Sequence, residues 1–390
     1  MRRIKIGRIG AFFIGFLLII GFAWGEVGVT DNEIKLGNFI ALTGPAAVVG
    51  QPIAKGMKLY VDYINDKGGV YGRKINFICE DDNFMPSRAR EAANKLIYKD
   101  KVFAIWQVMQ GAGILAAEPI IMKNKVPTLV STATDTILIP PRRYIFGWNM
   151  PYSDDGIIQI DWAVKKMGKK RIAVIAMWGP AGETNITGAR ARLKNYDMEP
   201  ILEEKLKNVK MDYSGLVTKM RRLETDCVLI TNTLQWTIPL LKEIQRQGWK
   251  PSIIIGKASG DISLLKKLAG DAADGAYVLM TNLPTDTDNP HMNEYREVLK
   301  KYGSGESPGY YHHIGYGTVQ LFVSAIKQVG RDLTREKLID TMESWKDFDT
   351  GWIGKITLSP TDHIGQEGLV IVKMVDGKAQ VIEPFMYIKR

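Results

Sequence analysis

Short apolar runs alternate with amphipathic stretches along most of this chain, and that rhythm restricts the folds open to it. An apolar run of about four to eight residues bounded by turn residues reads as a buried strand, and a longer stretch with apolar residues three and four apart reads as a helix. Their repetition means βαβ units and parallel sheets. Strands are expected at Ile34–Leu42, Lys74–Glu80, Ala104–Val108, Thr128–Ser131, Arg171–Ala176, Cys227–Thr231, Ser252–Gly256 and Ala276–Met280. Helices are expected at Gln51–Lys67, Ser87–Lys99, Gly113–Lys123, Ser153–Met167, Thr184–Tyr196, Tyr213–Leu223, Thr237–Gln247, Asn289–Tyr302 and His313–Gln328. Gly68-Gly69 closes the first helix, and Leu369–Val381 reads as a final hairpin turning at Asp376-Gly377.

The first 25 residues stand outside this pattern. Arg2, Arg3, Lys5 and Arg8 precede an apolar run from Ile9 to Phe22, and Ala23-Trp24-Gly25 offers the small residues of a cleavage site. Export as a soluble periplasmic chain starting near Glu26 is expected. The run falls short of the roughly 20 residues of a membrane span, and no cysteine near the cleavage site offers a lipid anchor. An exported chain works away from the cytosolic nucleotide pool, and no cofactor is implied. The formal charge is +10, of which the signal supplies four, leaving +6 dispersed among acidic residues. A solvated surface accounts for that spread better than a nucleic-acid groove.

Residues 26–390 exceed the roughly 250–300 that a single core accommodates, which calls for two lobes with a cleft between them. Crossings are expected at Trp148–Ser153, Thr281–Asp286 and Thr350–Ile356. They give one lobe of 26–149 with 283–352 and another of 150–282 with 353–390. Cys79 and Cys227 fall in strands of separate lobes, so two buried free thiols are expected rather than a disulfide.

Gly111-Ala112-Gly113-Ile114-Leu115-Ala116 follows a strand and opens a helix, in the form of a dinucleotide fingerprint. No acidic residue ends the next strand, where Ser131-Thr132 stands instead, which counts against a nucleotide. Bare N–H groups at a helix start bind any small anion, a ligand carboxylate included. Ser131-Thr132-Ala133-Thr134-Asp135 follows the neighbouring strand and brings hydroxyls to the same sheet edge. Those hydroxyls either join the anion site or cap the turn that follows. If they join it, Thr134→Val weakens ligand binding markedly in calorimetry, and an unchanged affinity removes Thr134 from the site.

Catalytic constellations are sparse. His291, His312, His313 and His363 show no metal-ligand spacing, and His312-His313 point apart and read as surface or loop residues. Asp81-Asp82 reads as loop capping, Glu203-Glu204 as solvated charge, and no G-x-S-x-G elbow occurs. Trp106, Trp148, Trp178, Trp236, Tyr152, Tyr310 and Tyr311 fall at strand ends, crossings and loop edges, where together they wall a pocket of apolar surface.

Ile34-Lys35-Leu36-Gly37, Leu42-Thr43-Gly44-Pro45, Ala54-Lys55-Gly56-Met57 and the run from Ile64-Asn65-Asp66-Lys67-Gly68-Gly69 to Val70-Tyr71-Gly72-Arg73-Lys74 resemble the leucine/isoleucine/valine-binding family of periplasmic solute receptors. Asp81-Asp82, Gly111 and Lys125-Val126-Pro127 before Ser131 extend the resemblance, which runs from about Glu33 to the C-terminus. It implies the type I periplasmic binding protein fold, α/β with two doubly wound parallel-sheet lobes joined by three crossovers. It also implies a freely diffusing monomer that delivers a small molecule to an ABC permease of the inner membrane.

By the resemblance, a ligand carboxylate is held at Gly111-Ala112 and at Thr132-Ala133-Thr134. The second lobe departs from the family. Ala181 stands where the branched-chain amino acid receptors place a tyrosine, Ala258 where they place an ammonium-binding glutamate, and Thr233 where an aromatic residue is common. A buried ammonium without a carboxylate partner is strongly destabilising. The solute is therefore expected to be a small apolar or aromatic carboxylate, with Trp178, Ala181, Thr233, Trp236, Ala258 and Tyr311 shaping the rest of the pocket. Asp154, Glu183 or Asp261 could pair with an amine, which keeps a branched-chain amino acid open, and amides or urea are further solutes within the family. A signalling receptor in place of the permease, and an exported α/β enzyme, are the rival readings.

Overall fold

The computed structural model describes residues 25–131 and 135–388. Its first stretch runs β1 (Glu33–Ile40), α1 (Ala47–Asp66), β2 (Lys74–Asp81), α2 (Pro86–Asn94), β3 (Ala104–Val108), α3 (Gly111–Lys123), β4 (Thr128–Val130), α4 (Asp135–Leu138) and β5 (Ile145–Gly147). The second runs α5 (Tyr152–Asp161), β6 (Ile172–Met177), α6 (Pro180–Lys194), β7 (Leu202–Leu206), α7 (Tyr213–Arg222), β8 (Cys227–Thr231), α8 (Leu234–Arg246), β9 (Ser252–Ile255), α9 (Ile262–Ala269) and β10 (Tyr277–Met280). The chain ends with α10 (Pro290–Tyr302), α11 (Tyr310–Val329), α12 (Arg335–Glu343), β11 (Gly368–Val375) and β12 (Lys378–Tyr387).

These strands form two sheets, β2-β1-β3-β4-β5 and β12-β11-β10-β9-β8-β6-β7. The first is parallel throughout, and the second is parallel except where β11 pairs with β10 and β12. Helices cover both faces of a parallel sheet, so its strands are buried on both sides. That is why β8 is apolar from Cys227 to Ile230 and buried at every residue, Thr231 at its end included. Each sheet reverses its winding beside its first strand, between β1 and β3 and between β6 and β8. At such switch points the strand ends part and leave a crevice for a ligand.

The expected strands all form, but the helices start two to four residues earlier than periodicity indicates: α1 at Ala47, α3 at Gly111, α6 at Pro180, α8 at Leu234 and α11 at Tyr310. Their first turns, from Ala-Val-Val-Gly in α1 to Pro-Ala-Gly-Glu in α6 and Tyr-Tyr-His-His in α11, do not extend the apolar spacing that marks the helix bodies. β5 and β7 at one end of each sheet's parallel run, and α4, α9 and α12, were not expected. The third passage lies later than 350–356. Gly147 bridges Ile364 and His363 stacks on Phe146, so residues 356–364 stay with the first sheet, anchored by buried Ile356, Leu358 and Ile364.

Cys79 and Cys227 are both free, in different sheets. Cys227 is buried, whereas Cys79 is only partly so, because β2 is an edge strand; its thiol donates to Asn38 Oδ1 at 3.3 Å. His312 and His313 also differ from the expectation of surface or loop residues, since both are buried in α11. They do point apart, His312 to Glu306 and Tyr295 and His313 to Asn282 and His291. Asp81 caps its loop as expected, accepting from the N–H groups of Leu42, Thr43 and Asn83 and from the Thr43 hydroxyl. Against the upward push of burial, those donors hold its pKa down to about 2. Among the described residues, no helix is long and apolar enough to cross a membrane. Met1 to Trp24, nearly all of the expected signal, lie outside the described residues.

Candidate functional site

In the first lobe the chain leaves β3 through Met109-Gln110 and turns straight into α3 at Gly111. Gln110 is the extended residue before the helix and gives it no side-chain cap, so the first-turn N–H groups are left to other partners. Gly113 has a packing reason: a Cβ there would meet Gln110 Oε1 at 2.4 Å and Ala89 Cβ at 2.8 Å. Without it, Gln110 folds over the helix start, its Oε1 buried with no hydrogen bond. Ser131 at the end of β4 ties its N–H to Val108 O at 2.9 Å, which brings the two strand ends together. Thr132, Ala133 and Thr134 lie outside the described residues.

In the second lobe three strand ends converge. β8 runs through Asn232 to Thr233, an extended residue preceding α8, whose Oγ1 is buried without a partner; the Trp236 Nε1–H in the first turn is in the same state. Ser259 Oγ, after β9, donates to Asn232 O at 2.7 Å and lies 3.0 Å from Thr237 Oγ1, fixing that turn against α8. Ala258 is half-buried in the same turn. Ala181 lies in the first turn of α6, after Gly179, whose φ of +112° is open mainly to glycine. Trp178 stands outward at 63% exposure with its N–H on Leu206 O, towards β7 and away from the switch point.

Aromatic residues close the hinge end. Tyr310 Oη lies 2.8 Å from Thr281 Oγ1 just past β10, and Tyr311 packs edge-on to Tyr310 at 5.1 Å. Burial pushes the Tyr311 hydroxyl well above the usual phenol range. Thr281 passes its hydroxyl to Asn282 Oδ1, and Asn282 Nδ2 reaches His313 Nδ1 at 3.3 Å. Asn282 also bridges Ile353, and Trp352 packs on Trp148, so the first two passages meet here against the Trp352-Ile353 segment. Trp106 and Trp148, expected as pocket walls, are core residues: Trp106 donates Nε1–H to Thr318 O at 2.7 Å, and Trp148 is buried against Trp352.

The structure thus sets Thr233, Trp236 and Ala258 on adjacent turns of one lobe, Tyr311 at the hinge, and Gly111 and Ala112 at the corresponding edge of the other lobe. Of the acids considered for an amine, Glu183 pairs with Lys205 and Asp261 caps α9 through Leu264 N–H. Sequence reasoning missed two buried charges, Asp155 in the first turn of α5 and Lys257 after β9. Lys257 carries one local signal, a lone lysine two residues past the strand Ser-Ile-Ile-Ile. Among the described residues, no group of three or more His, Cys, Asp or Glu is placed to hold a metal ion. A cavity of about 410 Å³ among Ile244, Trp249, Ile253 and Ala276 lies at the amino ends of β9 and β10, opposite the edge that carries the site.

Two doubly wound lobes with a switch point in each define a two-lobed solute-binding protein. The periplasmic binding protein family model matches residues 33–379, and the chain belongs to that family. Over 371 residues it is 23% identical to a Leu/Ile/Val-binding protein homolog 3 of Brucella melitensis, covering 95% of this chain and 98% of the relative. A fatty acid ABC transporter substrate-binding protein from Thermomonospora curvata matches with a TM-score of 0.81 and 25% identity, over 93% of this chain and 95% of its own. The solute binding protein of an ABC transporter from Rhodopseudomonas palustris BisB5, in complex with 3,4-dihydroxybenzoic acid, matches with a TM-score of 0.77 and 25% identity, over 91% and 96%.

Proposed function

We propose that this chain is the periplasmic receptor of an ABC importer, a monomer that closes its two lobes on a small apolar or aromatic carboxylate and presents the closed form to the permease. The observation that carries the reading is that several buried hydrogen-bonding atoms without partners lie where strands of the two lobes end, although others, such as Arg73 Nε, Asp100 Oδ2 and Tyr213 Oη, lie elsewhere. Gln110 Oε1 and Asn149 Oδ1 in the first lobe, and Thr233 Oγ1 and Trp236 Nε1 in the second, lie at the carboxyl ends of the strands. A buried polar atom left unpaired costs about 1–3 kcal/mol, so a cluster of them is a site waiting for hydrogen bonds from a solute.

The uncapped start of α3 at Gly111 and Ala112 supplies the anion end, and Thr132, Ala133 and Thr134, which follow Ser131 in the sequence, are proposed to complete it. Ala181, Thr233, Trp236, Ala258 and Tyr311 form the opposite wall, while Trp178, turned outward beside β7, stands apart from it. The carboxylates named for the two solved relatives agree with an anion site. Binding acts by differential affinity: the solute bridges both lobes only when they are closed, and so shifts the population to that state.

The test is mass spectrometry of solute retained on gentle purification, followed by calorimetry with aromatic acids, fatty acids, leucine and valine. A carboxylate without an amino group is expected to bind most tightly. Preference for leucine or valine would overturn that ligand class, and turnover of the bound molecule would overturn the receptor reading altogether.

A further inference from the structure

A lysine ammonium is buried at the hinge end of the candidate site. Lys257 is 5% exposed and donates from Nζ to Met150 O at 2.7 Å and to Pro151 O at 3.2 Å. The same nitrogen sits 4.2 Å over the centre of the Tyr152 ring. Two carbonyls and an aromatic face make a cage of the kind that recognises ammonium groups. The cage is continuous with the pocket wall, since Lys257 adjoins Ala258 and the Tyr152 hydroxyl feels Tyr310, which packs on Tyr311.

Asp155 belongs to the same cluster. It is fully buried, and no side chain of the described residues hydrogen-bonds its carboxylate, on which the Lys257 charge and backbone N–H both act. Gly256 makes room for it, because a Cβ there would stand 2.8 Å from Asp155 Oδ2 and 2.9 Å from Thr231 Oγ1. A buried carboxylate with so few donors needs a cation nearby. The carboxylates that act on Lys257 are Asp155, Asp154 and Asp135, so the cage without its lysine would be strongly negative.

We propose that the Lys257 ammonium fills, from within the protein, the cation position of the solute site, so that the site accepts carboxylates carrying no amino group and rejects amino acids. The inference rests on the carboxylate-receptor reading above and makes Lys257 its specificity-determining residue. An incoming ammonium would have to displace Lys257 from Met150 O, Pro151 O and the Tyr152 ring, or share Asp155 with it at close range. Burial pushes Lys257 down to about 8 and Asp155 up to about 6, each pulled back by the other, so both are charged at neutral pH and the position is filled there.

The experiment uses the full chain and two matched pairs of solutes: leucine with 4-methylpentanoate, and phenylalanine with 3-phenylpropanoate. Calorimetry on the unsubstituted protein is expected to favour the member without the amino group by about 100-fold, the order of a desolvated charge–charge conflict. Lys257→Met empties the cage and leaves Asp155, so affinity for the amino acid should rise about tenfold or more. The double variant Lys257→Met/Asp155→Asn keeps the cage empty without its carboxylate, and that gain should vanish. Equal affinity for both members of a pair in the unsubstituted protein overturns the proposal even if neither variant folds. So does an unchanged preference in Lys257→Met, or a gain that survives in the double variant. The carboxylate-receptor reading fails on a different result, no binding of any of the four solutes, and this inference falls with it.

Discussion

Acidification from pH 6.5 to 4 is expected to remove on the order of 3 kcal/mol of folding free energy that His291 holds at neutral pH. The argument starts from hydrogen-bond polarity. Asn282 Oδ1 accepts from Thr281 Oγ1, so its Nδ2 is the donor to Leu283 O and to His313 Nδ1. His313 then carries its proton on Nε2, which donates to His291 Nε2 at 2.8 Å. A second proton would set two N–H donors head to head. Around the pair stand the rings of Tyr295, Tyr316 and Trp352 and the Gln320 amide, while Glu306 is taken up by His312 and Lys55. With no carboxylate of the described residues paired to either ring, burial lowers His291 to about 4 and His313 well below its ordinary value.

The unfolded chain therefore takes up protons first. The contribution is complete above pH 6.5 and is lost as pH falls towards 4. Asp155 opposes it over part of this window, because a carboxyl raised to about 6 gains stability as it protonates. His291→Gln isolates the histidine term: urea unfolding from pH 7 to 4 should be less pH-dependent in the variant than in the parent. Equal slopes would remove the pair from the acid response. Because Asn282 joins this pair to Thr281 and Tyr310, the same protons should loosen the wall of the site.

The regular part of the fold was legible because burial leaves a direct trace in composition. β8, buried on both faces, is apolar from Cys227 to Ile230, and α8 carries an apolar stripe over Leu240, Leu241 and Ile244. Elements at sheet ends or under less burial leave weaker traces: β7 reads Leu-Glu-Glu-Lys-Leu, buried only at its two leucines, and so resembles loop charge. The anion end proposed for the first lobe stands out in the sequence because glycine and hydroxyl residues after a strand have a distinct chemistry. The buried charges of the second lobe do not. Lys257 and Asp155 belong to residue types that are ordinarily solvated, and nothing local to Gly256-Lys257-Ala258 reveals that Met150, Pro151 and Tyr152 close over the ammonium. His312-His313 misled for the same reason, since their burial is imposed by α10, Trp352 and the passages between sheets.

Gly315→Leu is expected to destabilise the first lobe by about 3 kcal/mol or more and to abolish solute binding with it. α11 crosses α1 backbone to backbone. A Cβ on Gly315 would lie 1.9 Å from Ile53 O, and one on Gly56 would lie 1.8 Å from His312 O. A leucine cannot be absorbed by a side-chain shift there, because the opposing atom is a carbonyl in a helix, so the helices must part. Parting them pulls Thr318 O of α11 from the Trp106 Nε1–H in β3, and Gly317 from Trp352, which lies over it. It also moves Tyr310 and Tyr311, the first turn of the same helix, out of the hinge end of the site. Gly248→Ala is the comparison: its φ of +62° disfavours a side chain, but a Cβ there meets nothing within 4 Å, and about 1 kcal/mol is expected. Urea unfolding followed by circular dichroism should separate the two variants by about 2 kcal/mol, with binding retained only in Gly248→Ala. Similar losses in both would mean that α1 and α11 can move apart freely, and that the position of Tyr310 is set by the passages between the sheets instead of by this helix crossing.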